Sequence, residues 1–175
     1  ILNLEFHTKM NSIGEGVLMG INKAIDTCEK DFKGLVVSNE ADYFSAGADL
    51  GTLFMLAGNK DFKKIEESIR VFQNTMMRVR HSSVPVVVAT SGITLGGGCE
   101  LSLHADSIQA HSETYMGLVE LGAGLIPAGG GTKELVMRTA SQYGKGDPEL
   151  NKLMESFMNI ASAKVSTSAK EAAEM

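Results

Sequence analysis

Three consecutive glycines between a predicted strand and a predicted helix are the feature that most constrains this chain. They are Gly96, Gly97 and Gly98. The apolar, β-branched segment 84–89 before them predicts a buried strand, and the segment 99–105 after them is compatible with a short buried helix. Glycine lets a backbone approach a ligand closely, and a helix N-terminus carries unpaired N–H groups with a partial positive charge.

The residue type that follows the glycines gives this turn two interpretations. Glu100 stands in the first turn of the predicted helix. One interpretation is an anion or oxyanion site with an acid/base group beside it. The other is an ordinary strand-to-helix turn in which the Glu100 carboxylate only favours the helix dipole. These residues alone leave both open.

Length, charge and cysteine content exclude several classes of protein. The chain has 175 residues, of which 43% are hydrophobic, so it can bury the core of one domain and is not expected to be disordered. No apolar run reaches transmembrane length. A net charge of −5 with scattered Lys and Arg disfavours nucleic acid as a partner. Cys28 and Cys99 lie in apolar surroundings, which favours a reducing compartment and predicts a cytoplasmic protein.

The two ends of the chain predict that it is a piece of a longer protein. It begins at Ile1 without a methionine or a signal-type segment, and it ends at Met175 within a helical pattern. We expect one domain over residues 1–175, with helices missing at its C-terminal end.

Strands and helices alternate along the chain in the manner of an α/β protein. The predicted strands are 2–6, 34–38, 85–89, 107–111 and 114–116. The predicted helices are 13–28, 61–80, 99–105, 132–140 and 149–160, with one more beginning near 168. Two capping boxes, 12–15 and 168–171, predict where the first and last helices begin.

Motifs for other chemistries are absent from the sequence. No Gly-x-Gly-x-x-Gly follows the first strand, and the glycine-rich loop at 123–132 lacks the Lys-Ser/Thr pair of a phosphate loop. The four histidines, including His104, have no ligand spacing, so we expect no metal site.

Two further segments resemble the central turn in composition. Residues 42–50 form a small-residue turn after a strand, and they mirror the turn at 96–98. Residues 117–122 bring a second carboxylate, Glu120, into an apolar setting flanked by glycine.

Together these motifs resemble the crotonase superfamily, the enoyl-CoA hydratase/isomerase family. The similar segments are 44–50 (FSAGADL), 95–101 (LGGGCEL), 117–122 (GLVELG) and 126–132 (IPAGGGT), in matching order and spacing. The resemblance extends from about residue 1 to the end. It implies an α/β, crotonase-like (ClpP/crotonase) fold of repeated ββα units, truncated at the C-terminus. It also implies an acyl-CoA thioester substrate, with no cofactor other than the coenzyme A that is part of the substrate.

The resemblance assigns roles to particular residues. The backbone N–H groups of Ala48 and Gly97 would form an oxyanion hole for the thioester oxygen. Glu100 would activate the water that adds to C3, and Glu120 would exchange the proton at C2. One departure is Val119, where many hydratases have proline. The residues expected to bind substrate are Ser45, Ala46, Gly47, Ala48, Asp49, Leu50, Gly96 and Gly97.

The glutamate pair favours an enoyl-CoA hydratase of fatty-acid β-oxidation. The segment also resembles the hydratase module of multifunctional proteins that carry a 3-hydroxyacyl-CoA dehydrogenase, and a homo-oligomer is expected. Two alternatives stay open: another crotonase chemistry such as double-bond isomerisation, and a non-catalytic acyl-CoA-binding module. Adding water across a C=C bond needs a base and an acid, which the pair supplies.

Overall fold

A parallel β-sheet organises the computed structural model, which describes residues 1–148 and 150–175. Four strands lie side by side in sequence order: β1 (Leu2–Leu4), β2 (Leu35–Ser38), β3 (Val86–Leu95) and β4 (Ser107–Gly117). The two central strands, β2 and β3, lie in the core. Val37 of β2 pairs with Val88 of β3, and both side chains are fully buried. Parallel strands of this kind are apolar because helices cover their faces.

Helices and short 3₁₀ segments connect the strands. The helices are α1 (Glu15–Asp31), α2 (Leu50–Gly58), α3 (Phe62–Arg80), α4 (Gly97–His104), α5 (Gly131–Ala140), α6 (Leu150–Ala161) and α7 (Ala169–Glu174). The 3₁₀ segments are Lys9–Asn11 and Glu120–Ala123. Within the described residues, none of these helices has the length and apolar character needed to cross a membrane.

The main core lies between the sheet and the helices α1 and α3. Ile21 and Ile25 on α1 and Met76 on α3 are fully buried, as the three-and-four spacing of apolar residues in both helices predicts. Phe44 meets the ring of Phe6 edge to face, with centroids 5.9 Å apart, and so fixes the chain just before the first glycine turn.

The third strand is longer than the sequence predicts. Residues 90–95, which lie beyond the predicted strand 85–89, continue β3 as far as Leu95. They do so because β4 pairs with β3 as far as Leu95 and Gly117, with one irregularity between Thr90 and Gly92. The same pairing joins the two short strands predicted at 107–111 and 114–116 into one. Here the neighbouring strand outweighs local propensity.

The predicted capping box at 12–15 is wrong. Gly14 precedes α1 without a side-chain cap. Ile13 is held extended instead, because its N–H donates to the Gly47 carbonyl and its own carbonyl accepts from the Asp49 N–H. This pairing joins the start of α1 to the first glycine turn.

The other helix predictions have mixed outcomes. The capping box at 168–171 is confirmed, because the Ser168 hydroxyl accepts from the Glu171 N–H. Helix α2 was not expected as a separate element, although Asp49 is its N-cap. The predicted start at Glu149 lies outside the described residues, and α6 is described from Leu150.

Candidate active site

Two glycine turns bring two backbone N–H groups side by side. Gly47 and Gly96 have φ values of +106° and +50°, which residues with a side chain rarely adopt. A Cβ on Gly47 would lie 3.2 Å from the Gly97 nitrogen, and a Cβ on Gly97 would lie 3.1 Å from the Ala48 nitrogen. The close approach of the turns therefore depends on glycine at these positions and leaves the Ala48 and Gly97 amides adjacent.

Neither of these two amides donates to a protein acceptor within residues 1–148 and 150–175. The pairing of Ile13 with this turn uses the atoms of Gly47 and Asp49 and leaves the Ala48 N–H out. Gly97 is the first residue of α4, where a helix provides no acceptor for the N–H. Two adjacent free donors can bind one oxygen atom, and a negatively charged oxygen most strongly.

Glu100 lies one turn into the same helix and is almost fully buried, with 3% of its surface exposed. The Gly131 N–H donates to its Oε1 at 2.9 Å. Burial raises the pKa of Glu100 to about 7, the hydrogen bond from Gly131 opposes that shift, and the nearby charge of Glu120 adds to it. The carboxyl group can therefore change protonation state near neutral pH.

Glu120 begins the 3₁₀ segment after β4 and supplies the second carboxyl group. A Cβ on Gly96 would lie 3.1 Å from its Oε1, so the group lies against the turn that carries the Gly97 amide. Its Oε2 is buried without a hydrogen-bond partner among the described residues. Burial raises the pKa of Glu120, although its own backbone N–H opposes the shift.

An apolar ring and a glycine loop close the site around Glu100. Phe72 on α3 is buried, and a Cβ on Gly97 would lie 2.9 Å from its ring. A Cβ on Gly129 would overlap Glu100 Oε2 and lie 2.6 Å from the same ring. The sequence predicts a buried face for α3 but does not reveal that Phe72 meets both glycines, because the three segments are far apart in the chain.

The remaining predicted binding residues build the first turn. The Ser45 hydroxyl donates to the Asn11 carbonyl at 2.7 Å and accepts from the Gly47 N–H. The Asp49 carboxylate caps α2 by accepting from the Thr52 hydroxyl and from backbone N–H groups, and these bonds lower its pKa. Both side chains are thus engaged in holding the turn.

Two positions of the predicted set contribute in other ways. The Ala46 N–H donates to the Met10 carbonyl, which fixes the turn further. Leu50 begins α2 and is exposed. No group of three His, Cys, Asp or Glu residues in the described part of the chain is placed to hold a metal ion.

Solved structures with this arrangement of elements are crotonase-fold proteins. An enoyl-CoA hydratase from Polaromonas sp. JS666 superposes with a TM-score of 0.83 at 21% identity, covering 98% of this chain and 63% of that one. An enoyl-CoA hydratase from Bacillus anthracis gives a TM-score of 0.78 at 26% identity, covering 98% of this chain and 62% of that one. The fold is therefore the crotonase fold, as the sequence motifs predicted.

Residues 1–144 match the family described as enoyl-CoA hydratase/isomerase, and the chain belongs to that family. A probable 3-hydroxyacyl-CoA dehydrogenase of Bacillus subtilis (strain 168) is 47% identical over 98% of this chain and 21% of its own length. A putative fatty acid oxidation complex trifunctional enzyme of Rickettsia felis is 38% identical over 93% of this chain. The chain spans about a fifth of the length of these two relatives, 21% and 22%. A probable enoyl-CoA hydratase of Bacillus subtilis is 30% identical over 79% of this chain and 55% of its own length.

Proposed function

We propose that this chain is an enoyl-CoA hydratase that adds water across the 2,3 double bond of an enoyl-CoA thioester. The observation that carries the proposal is the pair of buried carboxyl groups, Glu100 and Glu120, beside two adjacent free amides. Each carboxyl has a raised pKa because of burial. Two such carboxyl groups can serve as the base and the acid in an addition of water.

The two amides would hold the thioester carbonyl oxygen. As water adds at C3, negative charge develops on that oxygen, and the Ala48 and Gly97 N–H groups would donate to it. Each donor in such a hole contributes roughly 3–4 kcal/mol to transition-state stabilisation. The donors are preorganised because the Gly47 and Gly96 turns hold them in place before substrate binds.

The two glutamates would divide the proton transfers. Glu100, as carboxylate, would take a proton from the water whose oxygen bonds to C3. Glu120, as carboxylic acid, would give a proton to C2 as the double bond is lost. With a pKa of about 7, Glu100 is ionised in a large fraction of molecules at neutral pH. The Gly131 N–H donates to Glu100 Oε1, and Oε2 would hold the water.

The names of the relatives support a place in fatty-acid β-oxidation. We infer that the chain acts as the hydratase domain of a larger protein with 3-hydroxyacyl-CoA dehydrogenase activity, because long relatives carry the names dehydrogenase and trifunctional enzyme. The product, a 3-hydroxyacyl thioester, is the substrate class that such a dehydrogenase oxidises. The homo-oligomer and the cytoplasmic location stay predictions.

The decisive experiment incubates the purified protein with crotonyl-CoA and follows the loss of enoyl-thioester absorbance. We expect turnover with formation of 3-hydroxybutyryl-CoA. Double-bond movement in a 3-enoyl-CoA without hydration would identify an isomerase. Binding of the thioester without either reaction would identify an acyl-CoA-binding module, and both results would contradict the proposal.

A further inference from the structure

A cluster of ionisable side chains with a buried centre lies one turn beyond Glu100, on the same face of α4. It consists of His104 on α4, Lys133 and Glu134 on α5, and Arg80 on α3, and we refer to it as the His104 cluster. His104 and Glu134 are 1% and 0% exposed. Buried charges are costly unless they are paired, so the arrangement needs an explanation.

The contacts of His104 define its protonation state. Its Nδ1 lies 2.7 Å from the main-chain oxygen of Glu100, which can only accept, so Nδ1 carries the hydrogen. Its Nε2 lies 3.0 Å from Lys133 Nζ, which can only donate, so Nε2 is unprotonated. The ring is therefore neutral. Burial also lowers the pKa of His104; the hydrogen bond to the Glu100 carbonyl and the charge of Glu134 oppose that shift, and the charges of Lys133 and Arg80 add to it.

The ring also supports the glycine loop that binds the Glu100 carboxylate. Gly130 has a φ of +128°, and a Cβ there would lie 2.7 Å from the His104 Cε1 and 2.8 Å from its Nε2. The loop backbone therefore rests against the ring. The next residue, Gly131, is the one whose N–H donates to Glu100 Oε1.

Glu134 holds the start of α5, which follows the glycine loop. Its Oε2 accepts from Arg80 at 2.7 Å, and its Oε1 lies 2.9 Å from Lys133 Nζ and 3.5 Å from His104 Nε2. Because Glu134 stands in the first turn of α5, these ion pairs tie the start of that helix to the end of α3. The start of α5 is where Gly131 lies. Arg138, one turn further, donates to the Leu103 carbonyl and lies 3.8 Å from Glu134.

We propose that His104 is a positioning residue for Glu100: it holds the Glu100 main chain and the 129–131 loop in the register at which the loop N–H groups reach the carboxylate. The catalytic importance of this register rests on the function proposed above. The groups around the ring are Lys133 and Glu134 from α5, Arg80 from α3 and the Glu100 carbonyl from its own helix. Since the ring is neutral, replacing it by a neutral side chain leaves the charge of the cluster unchanged.

Three variants and one control separate positioning from a general structural role. His104→Leu removes both polar contacts. His104→Asn keeps an N–H donor where Nδ1 lies. His104→Gln keeps a polar group towards Lys133 and serves as the loss variant if His104→Leu does not fold. The control is Ser102→Ala, because the Ser102 hydroxyl is buried on the same helix and, like His104, bonds to the carbonyl four residues earlier.

The first readout needs no catalysis. It is the pKa of the Glu100 carboxyl group, followed by NMR in protein labelled with carbon-13 at glutamate side chains. The loop N–H groups lower the pKa of this carboxyl. Moving them away in His104→Leu or His104→Gln should raise the titration midpoint of Glu100. In His104→Asn the midpoint should return most of the way to the wild-type value. In Ser102→Ala it should stay at the wild-type value.

The second readout is crotonyl-CoA hydration. We expect kcat to fall about tenfold to a hundredfold in His104→Leu, because small displacements of a catalytic group have effects of that size. The KM should change little, and the ascending limb of the pH profile should move to higher pH. A wild-type protein that does not hydrate would contradict the proposed function, and the titration alone would then decide the role of His104.

The proposal is overturned if the folded loss variant keeps the wild-type Glu100 midpoint. It is also overturned if Ser102→Ala moves the midpoint as far as His104→Leu does, since any buried polar group on α4 would then have the same effect.

Discussion

The two glutamates of the site differ in how the fold holds them. Glu100 lies within a helix, is almost fully buried and accepts a hydrogen bond from Gly131. Glu120 lies at the start of a 3₁₀ segment, is half-buried and has one buried oxygen without a partner in the described residues. Burial raises the pKa of both carboxyl groups, to about 7 for Glu100.

This difference suggests a division of labour. A carboxylate that must hold a water molecule in one orientation benefits from a rigid backbone and a fixed hydrogen bond. A carboxylic acid that must deliver a proton to carbon benefits from having an oxygen that no other group occupies.

The largest expected effect comes from removing either carboxyl group. Glu100→Gln and Glu120→Gln should each lower kcat for crotonyl-CoA hydration by about 10³-fold, since general acid–base catalysis contributes about 10²–10⁴-fold. Binding of the thioester should persist, because neither side chain anchors it. Steady-state kinetics and calorimetric titration with a saturated acyl-CoA would measure the two quantities. A folded variant with wild-type kcat would remove that residue from the mechanism.

The second effect is on stability and depends on pH. The folded pKa of Glu100 is raised to about 7 from an ordinary value of 4.5. Protonation of this group therefore favours the folded state below pH 4.5, and that contribution is lost as the pH rises through 7. Between pH 4.5 and pH 8.5, wild type should lose up to about 3 kcal/mol of unfolding free energy relative to Glu100→Gln. Relative to Glu120→Gln, wild type should also lose unfolding free energy between these pH values, but by a smaller amount.

Urea unfolding of the three proteins at both pH values tests this comparison. All other titrating groups are shared, so they cancel in the differences between proteins. A difference between wild type and Glu100→Gln that does not change with pH would show that Glu100 titrates normally in the folded protein.

A third prediction separates the surroundings of the two carboxyl groups. In Gly129→Ala the new Cβ would overlap Glu100 Oε2 and the Phe72 ring, so we expect about a hundredfold loss of kcat. The matched control is Gly122→Ala, near Glu120, where a Cβ would meet only the Ala163 Cβ at 3.9 Å. Kinetics and circular dichroism would compare them. Equal loss in both variants would indicate that the loops tolerate no side chain at all, and would contradict the specific role of Gly129.

The backbone of the site was largely predictable from the sequence, and its surroundings were not. Glycines at 47 and 96 mark turns because positive φ is unfavourable for residues with a side chain, and that requirement is local. Glu100 and Glu120 were found through the motifs that carry them. In contrast, His104 was set aside as an isolated histidine. Its partners Lys133 and Glu134 are about thirty residues away. Contacts of that kind depend on packing between helices, which periodicity does not encode.

Two features of the fold also depend on contacts between distant segments, which the local sequence pattern does not encode. The strand β3 continues through Gly92, a residue that favours turns, because β4 pairs with it on both sides of one irregularity. The start of α1 follows the pairing of Ile13 with the 47–49 turn, and the local capping signal at Ser12 is overridden. In both cases a distant segment decides the conformation, and a sequence pattern reports only the local preference.

The smallest expected effect concerns the residue before Glu120, where this chain has valine. Val119 has a φ of −104°, about 40° from the value near −65° that proline requires, and the residue before a proline is also restricted. Val119→Pro should therefore turn the 3₁₀ segment slightly and re-aim Glu120, while Glu100 keeps its hydrogen bond to Gly131. We expect kcat to fall about two- to fivefold, in line with a strain of about 1 kcal/mol. The exchange of the C2 proton of 3-hydroxybutyryl-CoA with deuterium should slow by the same factor.

Val119→Ala, which keeps the backbone free to adopt the native φ, should leave both rates unchanged. A shift of the Glu100-dependent ascending limb in Val119→Pro would show that the two carboxyl groups are held by one rigid unit, and the division of labour between them would then be wrong.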